Sequence, residues 1–132
     1  MDIIETMKQR YETEDIFPKS LGIELAELSP GYARLTMTVV PNMANFHGIG
    51  HGGVVFTLAD TAFGLSCNSH GVPAVALTVN IDFLAPARVG DQLTVEGQEL
   101  NRTRKTGHYQ MTVTNQAGKV LASVRGIAFF KG

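Results

Sequence analysis

The stretch from Asn45 to Asp60 reads Asn-Phe-His-Gly-Ile-Gly-His-Gly-Gly-Val-Val-Phe-Thr-Leu-Ala-Asp. A glycine-rich loop runs into an apolar helical segment, with Gly52 and Gly53 at its opening. A helix N-terminus carries unpaired N–H groups and partial positive charge. Such an end can hold an oxyanion or polarise a carbonyl. Asp60 sits among apolar neighbours, where a carboxylate is costly unless paired or used. A donor pair and a carboxylate together suggest acyl-transfer chemistry.

The spacing limits how the two groups cooperate. Gly52 and Asp60 are eight residues apart, which is about 12 Å of helical rise. Reacting atoms must come within about 3–3.5 Å. A carbonyl held at Gly52 therefore does not reach Asp60 of the same helix. A second copy related by a two-fold axis would bring Gly52 of one protomer near Asp60 of the other, making two equivalent sites. A homodimer is the expected minimal active unit.

The elements that must hold these groups are legible from periodicity. Ile3, Ile4, Met7 and Tyr11 recur at helical spacing, so Met1 to about Glu14 reads as a short amphipathic helix. Phe17-Pro18 reads as its stop. Leu21–Ser29 and Tyr32–Val40 alternate around Pro30-Gly31, as a hairpin would. Gly52 to about Ser69 is the main helix, apolar nearly all round and so expected to be buried. Strand-like runs follow at Ala74–Leu84, Asp91–Leu100, Gly107–Asn115 and Val120–Phe130. Turns are expected at Pro86–Gly90, Asn101–Thr106 and Asn115–Lys119. One buried helix followed by an antiparallel meander suggests an α+β architecture, with a sheet wrapped round the helix. One sheet face should be covered and the other more polar.

The bulk numbers are consistent with this. A chain of 132 residues fits a single domain spanning 1–132. Hydrophobic residues form 44% of it, enough for one core, and the net charge is −1. That balance lacks the basic excess of a general nucleic-acid binder. Cys67 is the lone cysteine, so no internal disulfide is expected and a reducing, cytoplasmic compartment fits. No signal peptide or apolar run of about 18 residues is apparent, so no membrane association is expected.

At the Asn45–Asp60 stretch the sequence resembles the hotdog-fold acyl-CoA thioesterases, in particular the PaaI-like branch linked to phenylacetate breakdown. The resemblance is carried by Asn45, His51-Gly-Gly53, Leu58-Ala-Asp60-Thr-Ala-Phe63 and Cys67-Asn-Ser69. It extends through Ile81-Asp-Phe-Leu84, Pro86, Gly90-Asp91 and Lys105-Thr-Gly107. It implies the hotdog fold, edge-to-edge pairing of protomers into one continuous sheet, and further assembly to a homotetramer. It implies Asp60 as the catalytic carboxylate, acting as base or nucleophile, and the Gly52 N–H as the group that polarises the thioester carbonyl. Asn45 would help place water or substrate, and His51 would support the loop. A hydroxyl on the strand after the central helix serves some relatives, and Thr78 is the nearest candidate. Phe56, Thr57, Thr61, Phe63 and Gly64 are pocket candidates by their proximity to Asp60, and Gly53, beside Gly52 at the helix opening, is a further substrate-binding candidate. The implied substrate is an acyl-CoA with an aromatic group such as phenylacetyl or hydroxyphenylacetyl, or with a medium-length chain. No cofactor beyond the coenzyme A of the substrate is expected, since water, a carboxylate and an oxyanion donor suffice.

Other residues have plainer readings. His47 and His70 lack evident partners and read as surface residues. The spacing of His47, His51 and Asp60 matches no strong metal motif. Cys67 reads as a small buried apolar residue and Ser66 lacks a nucleophile elbow. Asn101-Arg-Thr-Arg-Lys-Thr106 is the densest basic run. It is either a solvated hairpin turn or, through Arg102, Arg104 and Lys105 with Arg88 joining, a site for the phosphates of coenzyme A. Two rival functions use the same fold. A binding protein would hold acyl-CoA without needing Asp60, and a dehydratase or hydratase would need a histidine better placed against the carboxylate.

Overall fold

A computed structural model describes residues 1–132. Helix α1 spans Ile3–Glu14 and is opened by Asp2, whose side chain accepts the Glu5 N–H at 2.8 Å. The chain does not leave helical geometry at Phe17-Pro18 as expected. After the single residue Asp15 it forms a second short helix, α2, at Ile16–Ser20. Pro18 lies in the first turn of α2, where the missing N–H has no intrahelical acceptor to lose. Tyr11 anchors the pair: it is buried, and its hydroxyl donates to the Ile23 carbonyl at 2.6 Å.

Strands β1 (Glu24–Ser29) and β2 (Tyr32–Thr38) form the expected hairpin, with Gly31 at φ +74° in its turn. Helix α3 (Gly52–Asn68) follows, and then β3 (Ala74–Phe83), β4 (Gln92–Arg102), β5 (Thr106–Thr114) and β6 (Val120–Phe130). These six strands make one antiparallel sheet in the order β1-β2-β4-β5-β6-β3. The expected four-strand meander is therefore corrected. Only β4, β5 and β6 are consecutive neighbours, and β3 lies beyond β6 at the edge. Alternation specifies which face a strand buries but not its neighbour. The β2–β4 pairing sets Leu35 opposite Val95 and Met37 opposite Leu93, all buried, so those two strands belong together. Strand β4 also runs on through Asn101 and Arg102, which were expected in the turn.

The sheet wraps round α3, which is the hotdog arrangement. Val55, Leu58, Ala59, Ala62, Phe63, Leu65 and Cys67 of the helix face buried residues of β2, β4, β5 and β6. Two glycines allow this close approach. A Cβ on Gly97 would lie 2.7 Å from Ser66 Oγ, and one on Gly126 would lie 2.8 Å from the Phe63 ring. The outer face carries Thr94, Glu96, Gln110, Thr112, Ser123 and Arg125, in line with the expected polar side. No helix is long and apolar enough to cross a membrane.

Candidate active site

The loop before α3 is fixed from several directions. Asn45 N–H donates to the Ile49 carbonyl at 2.7 Å, and Gly50 N–H to the Ala87 carbonyl at 2.7 Å. His51 N–H reaches the Met43 carbonyl at 2.8 Å. The Asn45 carboxamide oxygen accepts from the N–H groups of His47 at 2.9 Å and Ile49 at 3.4 Å. This leaves the Asn45 Nδ2 donor for whatever occupies the cleft.

His51 caps the helix. Its backbone is extended (φ −62°, ψ 137°) and its Nδ1 accepts the Gly53 N–H at 3.0 Å. The cap corrects the expectation of two available donors. Gly53 has spent its N–H on the histidine ring, while the Gly52 N–H has no partner within the chain. Gly52 opens into a cleft of about 420 Å³ lined by Asn45, Ile49, Val55, Phe83, Leu84 and Pro86 among others. A single unpaired donor at a helix N-terminus, with an asparagine amide beside it, suits a polarised carbonyl oxygen.

Asp60 lies on the opposite side of expectation. It is exposed in the chain rather than buried, at the wall of an open pocket. The reason is the helix face it occupies: Phe56, Thr57, Asp60, Thr61 and Gly64 form a stripe that the wrapping sheet leaves uncovered. This stripe lines a pocket of about 680 Å³. Asp60 has no hydrogen-bond or ion-pair partner. Partial desolvation pushes its carboxyl above the usual carboxylate range, and the like charge of Asp15 adds to this. The Thr57 and Thr61 hydroxyls are turned back on the helix, donating to the carbonyls of Gly53 at 2.8 Å and Thr57 at 2.7 Å.

The structure separates several residues expected together. The Gly52 cleft and the Asp60 pocket share no lining residue. Phe63, expected in the pocket, is in the core at 1% exposure, with its ring 5.6 Å from that of Tyr109. Thr78 is exposed on edge strand β3 beside a bulge. It pairs with Ile127, while the neighbouring Gly126 and Ala128 are the residues that face α3. Thr78 therefore does not meet Asp60 within one chain. Within one chain Arg88 stands apart from the basic run. It precedes β4, and Arg102 ends that eleven-residue strand, which at 3.3 Å per residue spans roughly 33 Å. Arg102 and Arg104 line a separate recess with Val72, Thr103 and Phe130, and Lys105 stands over the Phe129 ring. His70 is also corrected: its Nε2 lies 2.8 Å from Glu99 Oε1, which also accepts the Tyr109 hydroxyl at 2.7 Å.

Sequence reading missed the opposite wall of the Asp60 pocket. It is built by Met7, Arg10, Tyr11, Glu14, Asp15, Phe17 and Pro18 of the N-terminal helices. The available signal was the Ile4, Met7, Tyr11 spacing, which marks an inward face but not what it faces.

A model of the thioesterase superfamily matches residues 47–122. The acyl-coenzyme A thioesterase PaaI of Escherichia coli is 45% identical over 116 residues, covering 88% of this chain and 82% of that protein. The structure of the E. coli PaaI protein from the phenylacetic acid degradation operon superposes with a TM-score of 0.91 at 39% identity, covering 99% of this chain and 97% of that one. A Streptococcus mutans protein solved bound to acetyl CoA superposes with a TM-score of 0.81 at 33% identity, covering 83% and 89% of the two chains.

Proposed function

The chain belongs to the thioesterase superfamily, and on that premise we propose that it hydrolyses acyl-CoA to a free acid and coenzyme A. The observation that carries the reading is the pair of unspent groups on α3: the unpartnered Gly52 N–H and the unpartnered Asp60 carboxylate. In the reaction the Gly52 N–H bonds the thioester oxygen and stabilises the charge that grows there. Asp60 either takes a proton from water as the water oxygen attacks, or attacks the carbonyl carbon itself. The C–S bond then breaks and the thiolate leaves, to be protonated as free coenzyme A; on the nucleophilic route water then cleaves the anhydride left on Asp60, releasing the acid and restoring the carboxylate. Asn45 orients water or the carbonyl through Nδ2. Arg102, Arg104 and Lys105 supply cations for the phosphates of the coenzyme.

The site is completed by a second copy. Gly52 and Asp60 lie in different recesses of one chain, and β3 is an edge strand exposing Val75, Leu77 and Phe83. Antiparallel pairing of two β3 edges about a two-fold axis sets the start of one α3 toward the middle of the other. It also carries the partner's basic turn toward the Gly52 end, since that turn lies beside Phe130, opposite the β3 start at Ala74. Aromatic acyl groups of the phenylacetyl type are the first choice of substrate, followed by medium-length chains.

The test is thiol release from a panel of acyl-CoAs by wild type and Asp60→Asn. Turnover by wild type, with a loss of about 10²-fold or more in Asp60→Asn, is expected of an acid–base group. Binding of the same acyl-CoAs with no thiol released by wild type would instead mark a ligand-holding protein.

A further inference from the structure

The pocket at Asp60 has far more room than a thioester carbonyl needs, and half of its wall comes from outside the central helix. At about 680 Å³ it falls in the range of sites that enclose a whole small-molecule group. The wall facing the α3 stripe is α1 and α2, with Met7 and Phe17 supplying apolar surface and Tyr11 the floor. Phe17 is 63% exposed, a large aromatic ring with little protein against it.

The polar groups of this pocket fall into two sets. Thr57, Thr61 and Asn68 are satisfied internally. The two threonines bond to helix carbonyls, and Asn68 bonds to Gly64 and to both backbone groups of Ala74. Arg10 is the single cation in the lining, and Glu14 holds it at 3.3 Å. What remains without a partner is carboxylate: Asp60, and Asp15 at the junction of α1 and α2. Asp15 occupies the N-cap position of α2 but makes no capping bond, hydrogen bond or ion pair. It has no structural task in the chain, and it faces the pocket beside Asp60.

We propose that the N-terminal helical pair is the acyl-selecting wall of the site: Met7 and Phe17 receive an uncharged aromatic or hydrocarbon acyl group, and Asp15 rejects acyl groups that end in a carboxylate. The inference rests on the reading of Asp60 as the reacting carboxylate. An anionic acyl terminus entering here meets two free carboxylates and no free cation. Rejection by a built-in like charge is a common source of discrimination, because it penalises the wrong ligand without weakening the right one. An uncharged group of the same length feels no such penalty.

The experiment compares matched CoA thioesters, hexanoyl-CoA against adipoyl-CoA, with phenylacetyl-CoA as the aromatic case. Wild type is expected to favour hexanoyl-CoA over adipoyl-CoA by about 10²-fold or more in kcat/KM. Asp15→Asn should raise the adipoyl-to-hexanoyl ratio of kcat/KM by about tenfold, whatever it does to the turnover common to both, and Asp15→Lys should raise that ratio further. Phe17→Ala should lower kcat/KM for phenylacetyl-CoA by about tenfold, mainly through KM, as expected for lost apolar contact. Asp15 is exposed and unbonded, so both replacements should fold, which far-ultraviolet circular dichroism checks. An unchanged adipoyl-to-hexanoyl ratio in both Asp15 variants overturns this inference while leaving the hydrolase reading intact. No turnover of any uncharged acyl-CoA by wild type overturns the hydrolase reading, and this inference with it.

Discussion

Asp60 carries opposite consequences for activity and for stability. Its folded carboxyl holds a proton more tightly than the unfolded one, because desolvation and Asp15 disfavour the charged form. The ionised group therefore costs stability above its folded pKa, and that cost vanishes below the unfolded value of about 3.9. Asp60→Asn should melt higher than wild type at pH 7, with the gap closing below about pH 4, while losing thiol release. Equal melting temperatures at pH 7 would count against this account of Asp60. Gly52 admits a cleaner test of the donor. It is the first residue of α3, where proline is tolerated, and His51 already has the extended backbone that precedes a proline. Gly52→Pro should fold and lose activity. Gly52→Ala keeps the N–H and only crowds the Phe83 ring at 3.2 Å, so it should retain much more activity. His51 acts on the fold: His51→Ala should cost about 1 kcal/mol in urea unfolding, and His51→Asn should recover most of it.

Among the elements, the body of α3 is set against the sheet by closeness, and only its last residue, Asn68, bonds to the sheet, at Ala74. Phe63 fills the space above Gly126, where an added methyl would meet a ring that is itself 1% exposed. Gly126→Ala should destabilise the protein by about 1–3 kcal/mol, the usual range for overpacking. Adding Phe63→Leu should restore part of that loss if the ring is the obstacle. This packing also explains why Phe63 was misplaced from sequence. Asp60 and Phe63 are three residues apart and read as neighbours on the helix, but the sheet covers one and stops short of the other. Phe17-Pro18 reads as a helix stop for a similar reason. Proline marks a boundary in the sequence, and only packing against β1 and α3 shows that the chain makes one more helical turn before leaving.

The whole molecule leaves an edge of its sheet unpaired. Strand β3 is ten residues long and exposes Leu77 at 60%, a surface on which a second strand can add. A lysine at that position should oppose pairing, so Leu77→Lys is expected to sediment as a monomer and to lose thiol release. A monomer that retained full activity would refute the two-chain site. Mixed protomers give the complementary test. Asp60→Asn combined with Gly52→Pro should recover activity in heterodimers, because one of the two shared sites then has both groups intact.

The sequence by itself determined the helix that carries Gly52 and Asp60, the alternation that makes one face of the sheet apolar, and the separation of those two groups by about 12 Å. These follow from local periodicity and from fixed helical rise, which no tertiary contact alters. The tertiary structure decided the rest. Strand order depends on which apolar faces bury most together, and this placed β3 at the edge. The His51 ring claimed one of two donors because side-chain capping is a matter of rotamer and distance, not of residue type. The pocket wall came from residues some fifty positions before Asp60, brought there because Tyr11 found its acceptor on Ile23. Spacing in a sequence states what lies on one element; what faces it is settled when the elements pack.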